Sequence, residues 1–169
     1  NNIMLKLFIL LGCLITTNVA LAENYPEFKN NILTIPVIKA DRLGRYENVQ
    51  FEFDNQHGWT LIDYTEKQQA IVEDITINIL ESFPVQVNIV ATGYYPNGCF
   101  GQGNIYTEKK DNTFNIAINM TELQTVACTA ALVPFEIRIP LDVQGLTAGI
   151  YQVEINGLSD SFELPTNNF

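Results

Sequence analysis

From residue 30 onward, apolar and polar positions alternate with a period close to two, the spacing of strands whose successive side chains face opposite ways. Val49, Phe51 and Phe53 alternate with Gln50 and Glu52, which predicts a half-buried strand. Ahead of them Ile32, Thr34 and Pro36 interleave with Leu33, Ile35 and Val37; behind them, past the polar turn 54–58, comes Trp59-Thr60-Leu61-Ile62-Asp63-Tyr64. Residues 30–65 therefore read as a three-stranded meander, with Trp59 expected in its core because it sits in an apolar strand pattern. The polar stretch that follows, with Glu66-Lys67-Gln68-Gln69, predicts a connector or a short helical turn.

Beyond it, strand signals recur at 75–80, 85–92, 104–109, 113–120, 134–143, 150–156 and 158–164, separated by Gly, Pro and Asn. That rhythm is what a β-sandwich needs, and no helical periodicity competes with it. Two hairpins are legible at Asp111-Asn112 and at Asn156-Gly157, where both residues of the second tolerate the positive φ of a type I′ turn. Leu146-Thr147-Ala148-Gly149-Ile150-Tyr151 has the form of a tyrosine corner, in which the Tyr151 hydroxyl bonds back to the backbone just upstream. The expectation is an all-β chain: an N-terminal β-meander segment at 23–66, a connector at 67–74 and a seven-stranded immunoglobulin-like sandwich at 75–169.

The first 22 residues follow a different logic. Lys6, an apolar run at 7–15 and the small-residue triplet Ala20-Leu21-Ala22 form the three regions of a signal peptide at 1–22, with a mature chain starting at Glu23. The run is too short for a bilayer span, which takes about 20 residues. Leu10-Leu11-Gly12-Cys13 resembles a lipobox and offers lipid anchoring through Cys13 as the alternative. The expected location is periplasmic or extracellular, with no stable membrane span after processing.

Composition then narrows the chemistry. Nine Lys and Arg against nineteen Asp and Glu give −10, so nucleic acid is not an expected partner. Loss of residues 1–22 leaves two cysteines, Cys99 and Cys128, which in an oxidising compartment predict one disulfide. The single histidine, His57, lies in a polar turn where a solvated imidazole is the default, and no GxSxG elbow is present. Glu73-Asp74 are neighbours that a strand would point to opposite faces, and Asp41 and Asp54-Asn55 supply too few oxygens for calcium without backbone help. Gly101-Gln102-Gly103 follows no βαβ pattern that could cradle a phosphate. No catalytic residue, metal or cofactor is expected.

Gly98-Cys99, the hairpin around Asp111 to Ile116, the block Ala127-Cys128-Thr129-Ala130-Ala131-Leu132-Val133-Pro134-Phe135-Glu136, and Leu146 to Tyr151 running into Asn156-Gly157 together resemble secreted bacterial immunoglobulin-like β-sandwich modules found in exported proteins and lipoproteins. The resemblance covers about residues 85–164. Leu33-Thr34-Ile35-Pro36-Val37 with Tyr46-Glu47-Asn48-Val49 is similar to a short β motif near the N-terminus of many bacterial exported proteins. The resemblance to the immunoglobulin-like modules implies both cysteines paired and brings no catalytic residue.

What remains is binding. Tyr94, Tyr95 and Phe100 lie in an aromatic-rich stretch pinned at Cys99, and adjacent Tyr94 and Tyr95 should point to opposite sides, leaving at least one exposed. The expected function is an exported, non-enzymatic binding or interaction module of the bacterial cell envelope, with an unknown protein or glycan as partner. An immunoglobulin-like protease inhibitor is the alternative.

Overall fold

The computed structural model describes residues 25–38, 41–123 and 127–169, and every regular element among them is a strand. The expected signal peptide at 1–22 and the lipid-anchoring alternative at Cys13 lie outside these residues. β1 (Glu27–Lys29), β2 (Ile32–Ile38), β3 (Tyr46–Asp54) and β4 (Gly58–Glu66) form an antiparallel sheet in chain order. The meander thus has four strands rather than three. β1 is only three residues long, and its hairpin to β2 turns on Asn30 and Asn31, at φ 51° and 61°, without the glycine that would flag it. At the other hairpin the Asp54 carboxylate accepts from the N–H groups of Gln56 and His57, both at 2.7 Å, and is held below its ordinary pKa by those bonds.

The remaining strands are β5 (Ile71–Leu80), β6 (Gln86–Tyr95), β7 (Phe100–Lys110), β8 (Thr113–Glu122), β9 (Val133–Leu141), β10 (Gly149–Ile155) and β11 (Leu158–Leu164). They build two sheets, ordered β5-β6-β9 and β11-β10-β8-β7. β5 starts at Ile71, inside the expected connector, where Glu73 and Asp74 mask the strand pattern and a register irregularity falls between Val72 and Asp74. Alternate residues of the two sheets face each other: Val87, Ile89, Ile137 and Ile139 from one, Phe114, Ile116, Ile118, Val153 and Ile155 from the other, all buried in one core. Each such side chain contributes about 1.5–3 kcal/mol on burial.

One pairing departs from an antiparallel sandwich, because β8 and β10 run parallel, with Phe114 opposite Val153 and Ile116 opposite Ile155. At Asn156 β10 turns away, and the segment before β5 takes over its place beside β8: Ala70 N–H donates to the Ile118 carbonyl and Met120 N–H to the Gln68 carbonyl, each at 2.8 Å. The Asn156 side chain occupies the fork. Its Oδ1 accepts from Ile118 N–H at 3.0 Å, and its Nδ2 donates to the carbonyls of Ala70 at 2.8 Å and Ile118 at 2.9 Å. The type I′ turn needs φ of 47° at Asn156 and 95° at Gly157, so turn and bridge come from one residue pair.

Candidate interaction surface

Tyr94 and Tyr95 end β6 and Phe100 opens β7, so only residues 96–99 lie outside strands and the expected aromatic loop is a hairpin connection. Tyr95 is buried, its ring 5.0 Å from that of Phe135, and burial pushes its phenol up. Tyr94 faces the other way and is half-buried, as is Phe100, which packs on the core. The reason is that β6 is the central strand of its sheet, flanked by β5 and β9, and the inward alternate positions are claimed by the core. These three rings do not make an exposed patch.

Cys99 and Cys128 are joined, with Cα atoms 5.0 Å apart, tying this connection to the segment before β9. Flanking backbone bonds run the same way, from Gly98 N–H to the Thr129 carbonyl at 3.0 Å and from Leu123 N–H to the Cys99 carbonyl at 2.6 Å. Tyr151 is buried and its hydroxyl donates to the Thr147 carbonyl at 2.8 Å, the geometry of a tyrosine corner. His57 is exposed and faces Asp54 at 3.0 Å; Glu73 and Asp74 are exposed on β5. Asp41 pairs with Arg45, which also reaches Glu66 at 2.9 Å. Among the described residues no three His, Cys, Asp or Glu side chains gather in a metal-holding group.

Two features were not legible in the sequence. The first is the junction of the N-terminal sheet with the sandwich. Glu47, only 4% exposed, accepts from Asn119 Nδ2 and Asn104 Nδ2, each at 3.1 Å, and Asn119 Nδ2 also donates to the Gly44 carbonyl at 2.7 Å. Asn104 Nδ2 reaches the Tyr106 hydroxyl at 3.2 Å, and burial together with Glu47 pushes that phenol up to about 12. Gly44 is required here twice over: its φ is 70°, and a Cβ would lie 2.6 Å from the Tyr106 ring. Polar side chains on β7 and β8 thus fasten the β3 end of the small sheet. Beside the junction, a cavity of about 390 Å³ is lined by Arg42, Gln69, Asn115, Glu154 and Ser159 among others.

The second feature is the apolar face of the small sheet. Cross-strand partners share a face, and the register places Phe28, Leu33, Phe51 and Leu61 in one row and Phe53 with Trp59 in the next. Phe28 is 59% exposed, Trp59 51% and Leu61 48%, because no second sheet covers this face among the described residues. The expectation that Trp59 lies in a core is therefore corrected: the meander supplies one layer, and a core needs two. Phe28 and Trp59 come from the two edge strands, yet their rings meet 5.7 Å apart at 71°, bridging the central strands; Phe53 joins them 5.2 Å from Trp59. At the other end of the strands, a groove of about 300 Å³ is lined by Ile38, Tyr46, Val49, Phe51, Leu61 and Tyr64. One face thus carries an aromatic ridge and an apolar groove.

Residues 89–164 match the family of the ORF11 beta-sandwich domain, which spans the sandwich from β6 to β11 and leaves out the whole N-terminal sheet. An uncharacterized 10.2 kDa protein of Herpetosiphon aurantiacus, described by its position in the HgiCIIM 5′ region, is 23% identical over 94 residues, covering 56% of this chain and 99% of that relative. The rest of this chain has no counterpart in it. No solved structure matches. The sandwich is thus a β-sandwich module of a kind whose function is open.

Proposed function

We propose that the chain is an exported, non-enzymatic interaction module, in which the disulfide-stapled sandwich carries the N-terminal sheet and the apolar face of that sheet is the binding surface. The observation that carries this reading is the exposure of Phe28, Trp59 and Leu61 side by side on one face, where their registered partners Leu33, Phe51 and Phe53 are apolar too. Contiguous apolar surface of this kind marks an interaction site in a soluble protein. The Cys99–Cys128 bond is consistent with an oxidising compartment and so supports export. The Tyr151 corner supports the immunoglobulin-like part of the reading, with the parallel β8–β10 pair as its departure. An apolar partner surface fits the face better than a sugar ring does, because the aromatic planes stand at 71° and 57° to one another and offer no flat stacking platform.

Site-specific photo-cross-linking in the producing cells tests the reading. A photoreactive residue in place of Leu61 is expected to give a discrete adduct, whereas the same residue in place of Glu163, on the sandwich, gives none. Absence of an adduct at 61 overturns the proposal.

A further inference from the structure

We infer that the occupant of this face is the same face of a second copy of the chain. The inference rests on the reading of the face as a binding surface and goes further by naming what binds it. The face is self-complementary along the strands. The ridge of Phe28, Phe53 and Trp59 stands at one end, and the groove bordered by Tyr46 and Tyr64 lies at the other. A two-fold axis lying in the interface and crossing the strands near Phe51 and Leu61 superposes β4 on β4 in reversed direction. The ridge of each copy then lies over the groove of the other, an isologous contact of the kind two-fold dimers make. The result is a closed sandwich of two four-stranded sheets, the second layer that neither copy has alone.

Charge agrees. A chain of net charge −10 repels its own copy unless the touching surfaces are neutral. Two acids of this sheet point away from the face, since Glu52 pairs with Thr60 and Asp63 with Gln50 on the opposite side, and Glu66, which pairs with Tyr46 at the groove end, has its charge met by Arg45 at 2.9 Å. A partner attracted by that acidity would be met on the opposite side, not here. The area suffices as well. Nine-residue strands at about 3.3 Å per residue, three to four of them about 4.8 Å apart, give a footprint of about 450 Å² per copy before side-chain relief. Two copies bury about 1,000 Å², at the threshold for a specific interface, so a pair that dissociates on dilution is expected.

Sedimentation of the processed protein recovered from the producing cells, read beside the emission of Trp59, its single tryptophan, tests this. The expected result is twice the monomer mass at high concentration. On dilution the Trp59 emission shifts to the red with the same midpoint as the loss of mass, a measurement that needs no variant. Leu61→Asp is expected to weaken association by about 100-fold or more, since each copy would bury an unpaired charge, while Thr60→Asp on the opposite side leaves it unchanged. A monomer with solvent-exposed Trp59 at every concentration overturns the inference, as does a dimer that survives Leu61→Asp in folded protein. A monomer whose Trp59 is shielded also overturns it, because the face is then covered without a second copy. In the cross-linking experiment at position 61, an adduct of twice the chain mass supports the second copy. A discrete adduct of any other mass overturns the second copy but leaves the binding surface standing.

Discussion

β8 and β4 are strands of ten and nine residues with comparable apolar content, and they meet opposite surroundings. The middle of β8 is buried on both faces: Ile116, Ile118 and Met120 point into the sandwich core, while Asn119 and Ala117 are covered on the other face, Asn119 by hydrogen bonds to Gly44 and Glu47. In β4 every residue from Trp59 to Glu66 is exposed. The difference teaches that an alternating strand pattern encodes a face meant for burial but not the layer that buries it. For β8 that layer is supplied by β6 and β9 of the same chain; for β4 it is supplied by nothing among the described residues.

The largest expected effect tests the buried side. Phe114→Ala leaves a cavity between Tyr151 and Phe162, whose rings both lie near it, and is expected to cost about 3–5 kcal/mol in denaturant unfolding. A cost under about 1 kcal/mol would mean the sandwich is no better packed than the small sheet. Next comes the staple. Removing the Cys99–Cys128 bond, with a sequence separation of 29, is expected to cost about 3–4 kcal/mol by the loop-closure argument. Comparison of oxidised protein with a Cys99→Ala, Cys128→Ala variant reads it directly.

Asn156→Ala attacks the fork within the sandwich, where β8 changes partner from β10 to the segment before β5. It places a Cβ-bearing residue without a compensating side-chain bond at φ 47° and strips partners from Ile118 N–H and the Ala70 carbonyl. About 2–3 kcal/mol is expected, measured by the same unfolding curves. Faster amide exchange confined to 68–70 and β8 would locate the damage.

Tyr106 sharpens the comparison through pH. Its phenol, pushed up to about 12, stays protonated in the folded protein above 10.0, where an unfolded chain's tyrosine ionises. The folded state therefore binds the extra proton between those values, and the stability this group contributes is present below pH 10 and lost as the pH rises through that window. Phenolate absorbance should show Tyr95 and Tyr106 titrating late, with the latest component lost in Tyr106→Phe together with a shallower alkaline loss of stability. The smallest effect belongs to the exposed face: Trp59→Ala is expected to change the stability of the dissociated chain by no more than about 0.5 kcal/mol. Phe114→Ala and Trp59→Ala thus make a matched pair, one aromatic in each region.

Much of this molecule is readable from period and turn chemistry. The strands from residue 75 to 164, the Asn156-Gly157 turn and the hydroxyl bond of Tyr151 depend on residues close in sequence, and the pairing of Cys99 with Cys128 follows once Cys13 is set aside with the expected signal peptide. β1 escaped because three residues carry no period, and the start of β5 because acids interrupted it. The candidate surface escaped for a different reason. Alternation in 30–65 told which side chains of one strand share a face, while the register that sets Phe28, Leu33, Phe51 and Leu61 side by side belongs to the folded sheet. Whether that set is a core or a surface is a question about what lies about 10 Å above it. Likewise, Glu47 and Asn119 are separated by 72 positions, and no local rule pairs a strand carboxylate with a buried amide across that distance. The sequence by itself determined most of the strands, the alternation of their faces, two turns and the staple, because these follow from backbone geometry, side-chain period and cysteine chemistry. Only the tertiary structure decided which apolar faces found a partner, because burial is a property of two layers and a single strand encodes one.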